Sequence, residues 1–183
     1  MLIATYALLT LYVEQNKERG IISRIRHYLQ AHAGRPHRLD PARLQVQLDE
    51  LAGFAEARHQ HKVKECLMPA VRHATHEADH LLADLESLNR VGSNMLRSVR
   101  RRLHLAFAKG GAQIRMLVCT LERYCENVLE RLAKEEQELL PLAQRVFSSE
   151  QWFDVGTMFL SHDARHAEQR RRLNQVRLLT VSA

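Results

Sequence analysis

Residues able to hold a metal or a charge recur in this chain at one helical turn. His61 and Glu65 are four apart, as are His76 and His80, and His162 and His166. Residues at that spacing share a helix face, so each pair could bind one ion edge-on. Arg131 and Glu135 have the same spacing, which suits an intrahelical ion pair. A second group stands out by what surrounds it. Gln15 lies between Leu11 and Ile22, His59 between Ala55 and Val63, Asn89 between Leu85 and Leu96, and Arg131 with Glu135 between Val128 and Leu139. These polar residues interrupt apolar stripes. A buried polar group without a partner costs a few kcal/mol, so they are expected to meet one another inside the protein. Other chemistry has no support: there is no Gly-rich phosphate loop, nucleophile elbow or paired-Cys zinc motif.

The elements that must position these residues are helical. Ala, Leu, Arg and Glu dominate, and only 5% of residues are aromatic. That favours an all-α protein. The first segment runs from about Leu2 to Gln30 and ends in the breakers Gly34, Arg35 and Pro36. The second opens at Asp40-Pro41, an N-cap acid before a first-turn proline, and is expected to close near Pro69. The third runs from about Thr75 to Lys109 and stops at Gly110-Gly111. The fourth spans about Gln113 to Phe147. The fifth starts at Ser148-Ser149, where Ser148 and Gln151 have capping-box spacing, and continues to about Leu179. Four long helices with short turns are expected to pack as an up-down bundle over about residues 2–147. The fifth helix, about 149–179, would be an appendage to this single domain of 183 residues.

Apolar stripes at 3.6-residue spacing supply the expected core. They comprise Leu8, Leu11, Ile22, Ile25 and Leu29; then Leu44, Leu48, Leu51, Ala55, Val63 and Cys66. The third helix gives Leu82, Leu85, Leu96, Val99 and Leu103. The fourth gives Ile114, Leu121, Val128, Leu132, Leu139 and Leu142.

One segment occurs twice. His59-Gln60-His61-Lys62-Val63-Lys64-Glu65-Cys66-Leu67-Met68-Pro69 parallels Arg131-Leu132-Ala133-Lys134-Glu135-Glu136-Gln137-Glu138-Leu139-Leu140-Pro141. Each copy has Lys at its fourth place, two large apolar residues at its ninth and tenth, and then Pro. This repeat resembles the duplicated helix motif of haemerythrin-like (HHE cation-binding) domains. The stretch Thr75-His76-Glu77-Ala78-Asp79-His80-Leu81-Leu82 to Gly92 resembles that family's third helix, and Glu14-Gln15 its Glu-His on the first. The likeness covers roughly residues 8–155.

The resemblance implies six former di-iron ligand positions: Gln15, His59, Val63, Asn89, Arg131 and Glu135. Only His59 and Glu135 keep the family's ligand types, which is too few for a di-iron centre. Members of the family bind dioxygen, sense oxygen or nitric oxide, or handle iron. The expectation here is a degenerate member without a cofactor, in which Arg131 replaces the metals as the buried cation beside Glu135. The bland alternative has Arg131 snorkelling to solvent. The metal alternatives are one ion on the residual pair His59 and Glu135, or on a shifted set of His61, Glu65 and His80. Against the shifted set, His61 lies about 200° around the helix from His59, off the stripe. His162 and His166 are expected on a solvated face, and His104 at the surface.

The bulk numbers bound the rest. Net charge is +6, with eleven His besides. The runs Arg97, Arg100, Arg101, Arg102 and Arg170, Arg171, Arg172 are read as solvated helix faces. No aromatic residues interleave with them to stack bases, so a nucleic-acid partner is not expected. Cys66, Cys119 and Cys125 have no metal or disulfide spacing, which suits a reducing, cytoplasmic setting. Met1 to Val13 is apolar, lacks a basic flank and is too short to cross a bilayer, so it reads as the first turns of a buried helix. The expected role is non-enzymatic: a regulatory or interaction module with an unknown protein partner, and a homo-oligomer through the fifth helix as one form of it.

Overall fold

The computed structural model describes the backbone of residues 2–181. The side chains of 55–57, 169–170 and 173–181, Ala55 and Arg170 among them, lie outside the described residues. Among the described residues every regular element is helical. The first helix spans Leu2–Ala31, and a single tight turn, Pro36–Arg38, follows the breaker stretch. The second helix runs over residues 41–74. It starts as expected: the Asp40 carboxylate accepts from the Ala42 N–H at 2.9 Å, and Pro41 occupies a position where no N–H is needed. The third helix, Asp79–Lys109, ends at Gly110, whose φ of 80° reverses the chain at little steric cost. The fourth spans residues 111–146 and the fifth Ser149–Val181. The capping box at the start of the fifth is formed: the Ser148 N–H donates to Gln151 Oε1 (2.8 Å), and the Gln151 N–H donates to Ser148 Oγ (3.2 Å).

Two helix limits differ from the sequence expectation. The second helix does not close at Pro69 but continues to Ala74, and the third begins at Asp79 rather than Thr75, which is extended (φ −158°, ψ 146°). The reason is a widened turn. A proline within a helix has no N–H to donate and crowds the carbonyl four residues earlier. Here the ladder opens to π-type bonds instead of breaking. The Met68 N–H bonds the Val63 carbonyl, five residues back, one residue before Pro69. In the second copy of the repeat the Leu140 N–H bonds the Glu135 carbonyl, one residue before Pro141. The two copies therefore carry the same distortion in the same register.

The core has two parts. One joins Ile21, Ile25 and Leu29 to Leu44, Leu48 and Leu51, to Leu96, Val99 and Leu103, and to Ile114, Leu121 and Val128. The other joins Ala7 and Leu11 to Val63, Leu67 and Val71, to Leu82 and Leu85, and to Leu139 and Ala143. Each of the first four helices gives one half to each part, so the residues midway along all four lie between the two. The described residues of the predicted stripes thus form the core, with Leu8 half-buried at its edge.

The fifth helix is not an appendage. Trp152, Val155 and Phe159 are buried in the second part of the core. Fully burying a phenylalanine contributes about 1.5–3 kcal/mol, enough to seat this helix against the first and second. At Gly156 an added Cβ would collide with the Ile3 side chain, so the first and fifth helices approach closely there. Arg171 and Arg172, further along, are exposed.

Candidate functional site

The polar residues that interrupt the stripes sit between the two apolar parts and form a chain of alternating charges. Glu135 is at its centre, 1% exposed. Arg131, one turn away on the fourth helix, donates from Nη1 to Glu135 Oε1 at 2.9 Å. Its other terminal nitrogen donates to Glu18 on the first helix. His59 Nε2 lies 2.7 Å from Glu135 Oε2, which also accepts from Gln15 Nε2 at 3.3 Å. The opposite ring nitrogen of His59 faces Glu14 Oε2 at 3.7 Å. Lys62 Nζ donates to Glu14 Oε1 at 2.6 Å and, on its other side, to Asp163 of the fifth helix at 2.9 Å. Tyr6 also donates to Asp163, at 3.2 Å. The order of contacts is Glu18, Arg131, Glu135, His59, Glu14, Lys62, Asp163, acid and base in turn across four helices.

Burial makes the alternation matter. Glu18, His59 and Lys62 are fully buried, and Arg131 is 1% exposed. An isolated ion in such a place costs several kcal/mol, so each charge here needs its neighbours. For His59, burial alone would push the pKa down. The Glu135 carboxylate against it outweighs this and holds it up at about 9, so the ring is a cation at neutral pH. For Glu135, burial would push the pKa up, but Arg131 and His59 hold it down at about 2. Burial likewise opposes the ionised form of Glu14, and the nearby His59 ring together with the hydrogen bond and charge of Lys62 overcomes it. Burial also works against the Arg131 cation, and Glu18 and Glu135 raise its pKa nonetheless.

Of the six positions singled out in sequence, five line this interior. Gln15, His59, Arg131 and Glu135 are joined by hydrogen bonds. Val63, 2% exposed, packs in the apolar core beneath them. Asn89 is buried too but departs from the expected network, because neither amide atom has a hydrogen-bond partner among the described residues. Arg131 does not snorkel.

The shifted set is not brought together. His61 stacks on His162 (ring centroids 4.1 Å, 13° between planes). Glu65 is 52% exposed beside Lys64, and the His80 side chain, 93% exposed, faces Asp84 from the third helix. His162 and His166 are not a solvated pair. His162 is buried between His61 and His166, whose centroid lies 4.4 Å away. The His61 and His162 rings are stacked, so their in-plane nitrogen lone pairs run parallel rather than converging on one point. Burial and these neighbours push the His162 pKa down to about 4, so it stays neutral. His104 is exposed, as expected.

Four members of the network escaped the sequence reading: Glu14, Glu18, Lys62 and Asp163. Glu18 could have been found, since Leu11, Gln15, Glu18, Ile22 and Ile25 follow one heptad stripe. Lys62 falls on the face of His59 and Cys66. Asp163 had no such signal.

The donor set does not fit a di-iron centre. Two ions need several carboxylate oxygens and imidazoles facing a shared space. Here the guanidinium of Arg131 takes up one oxygen of Glu135 and one of Glu18, and Lys62 takes up Glu14. Among the described residues no three His, Cys, Asp or Glu side chains are arranged to hold a metal ion. No family model, no curated protein and no solved structure matches the chain. Among the described residues no helix is long and apolar enough to cross a membrane.

Proposed function

We propose that the chain is a haemerythrin-like module, built as an up-down four-helix bundle with a fifth helix packed on it, in which an ion network replaces the di-iron centre. Its role is non-enzymatic: it regulates or scaffolds through protein contacts and holds no iron. The observation that carries this reading is the Arg131 guanidinium bound between Glu18 and Glu135 at the position where the duplicated motif would present a metal ligand. The matched π turns just before Pro69 and Pro141 add support, because both motif copies widen the helix at the same place ahead of their proline.

The test is metal analysis of untagged protein from iron-supplemented cells, with an absorption spectrum alongside. The expected content is below about a tenth of an iron per chain, with thermal stability unmoved by chelators. About two irons with an oxo-bridge band would overturn the reading in favour of oxygen or nitric oxide sensing or iron handling. Its complement is the quadruple variant Gln15→His, Val63→Glu, Asn89→His, Arg131→His, which restores the family's ligand types and is expected to take up iron.

A further inference from the structure

The end of the molecule formed by the third-to-fourth helix hairpin is strongly basic. Between Ser87 and Leu121 there is no Asp or Glu, while Arg90, Arg97, Arg100, Arg101, Arg102, Lys109 and Arg115 fall in the same stretch. Arg100 is committed to Asp49 at 2.9 Å. On this hairpin a groove of about 240 Å³ runs between the two helices. Its floor is apolar and buried: Val99, Ala106 and Leu117. Its walls include Leu105 and Met116, 54% and 59% exposed. Arg102 and Lys109 border it, both exposed and without a carboxylate partner among the described residues.

We propose that this groove is a docking site for an acidic amphipathic helix of a partner protein. The inference rests on the interaction-module reading and names its surface and its partner's chemistry. The eleven residues of helix from Val99 to Lys109 span about 15 Å, so the groove receives about three turns of a partner helix. Such a helix presents apolar residues at i, i+3 or i+4, and i+7 to the floor and walls. Acidic residues on its flanks meet Arg102 and Lys109, and the surrounding field of like charge steers it in. The adaptable Met116 side chain suits a wall that must close over another chain's side chains. A second copy placing the same face here would bring Arg102 and Lys109 against their own equivalents. Nucleic acid would find an apolar floor and no aromatic ring in the groove to stack on. A membrane would meet a concave surface rather than a protruding wedge.

The probe is a fluorescein-labelled helical peptide of about 18 residues, with Leu at the spacing above and Glu on both flanks, followed by fluorescence anisotropy. The control is a scrambled peptide of the same composition. Saturable binding is expected, falling steeply with salt and weakened at least about tenfold in Arg102→Glu/Lys109→Glu and in Leu105→Ser/Met116→Ser. All four side chains are exposed, so circular dichroism and Tm of the variants are expected to match wild type. A scrambled peptide that binds equally well would overturn the proposal, as would unchanged affinity in the apolar double variant. Tighter binding of a short DNA duplex or of phosphatidylserine vesicles that displaces the peptide would overturn it in favour of those partners. The outcome is separable from the iron analysis: a metal-free protein that ignores the peptide refutes the groove alone, and an iron-loaded one refutes the reading beneath it.

Discussion

Replacing Arg131 with Met keeps much of the side-chain volume and removes the charge. The guanidinium is 1% exposed and holds two carboxylates, Glu18 and Glu135, from two helices. Breaking a buried ion pair by removing one partner costs about 3–5 kcal/mol, because the charge left behind is neither solvated nor paired. For a chain of this size about 1 kcal/mol moves Tm by roughly 2–4 °C, so the variant is expected to melt about 6–20 °C lower. The assay is thermal and urea unfolding followed by circular dichroism at neutral pH. The double variant Arg131→Met/Glu18→Gln removes one of the stranded charges and is expected to recover part of the loss, with a coupling of roughly 1 kcal/mol or more. A Tm within about 2 °C of wild type, or a double variant whose loss is the plain sum of the single losses, would refute the claim that the network stabilises the interior as a unit.

Stability is also expected to depend on pH in a defined pattern, read from urea unfolding between pH 2 and 10. The folded-state pKa of His59 is raised from 6.5 to about 9, so its contribution is complete below 6.5 and is lost as pH rises through 9. The pKa of His162 is lowered from 6.5 to about 4, so its contribution holds above 6.5 and is lost as pH falls towards 4. Glu135, lowered from 4.5 to about 2, adds a further loss below 4.5. The maximum should therefore lie near pH 6.5; His59→Gln should flatten the alkaline limb and His162→Phe the upper acid limb. Lys62→Met strands Glu14 and Asp163 and is expected to cost about 3–5 kcal/mol, with faster proteolysis of the fifth helix as a second readout. Gly156→Leu would force the fifth helix off Ile3 and should cost about 1–3 kcal/mol in the same unfolding assay.

The helices and their apolar faces were legible because a 3.6-residue period survives in sequence whatever the tertiary detail. Helix starts at Asp40-Pro41 and Ser148 were legible for a related reason, since caps are local chemistry. The continuation past Pro69 was not. Proline predicts an interrupted ladder, but whether the helix stops or widens is decided by packing of Leu67, Met68 and Val71 on both sides of it. In the site, the repeat fixed His59 and Arg131 in register, and spacing paired Arg131 with Glu135. The partners from other helices were harder, because the contact of Lys62 with Asp163 joins residues 101 apart. The fifth helix was misjudged through His162 and His166, whose spacing suggests a surface pair. Trp152, Val155, Phe159 and His162 follow a buried 3-4-3 stripe, and that stripe decides which face packs.

The paired π turns give the chain a property that a regular helix lacks. Each holds one residue more than the α ladder needs over the same height. Deleting a single residue inside one, such as Gln137, would let that turn relax to ordinary α geometry instead of breaking. The parts of the helix on either side would keep facing the core, because the slack absorbs the missing residue. The same deletion in a regular stretch, such as at Leu121, would turn everything beyond it by about 100° and carry the apolar face into water. The two turns are therefore places where this fold can lose a residue and keep its faces aligned.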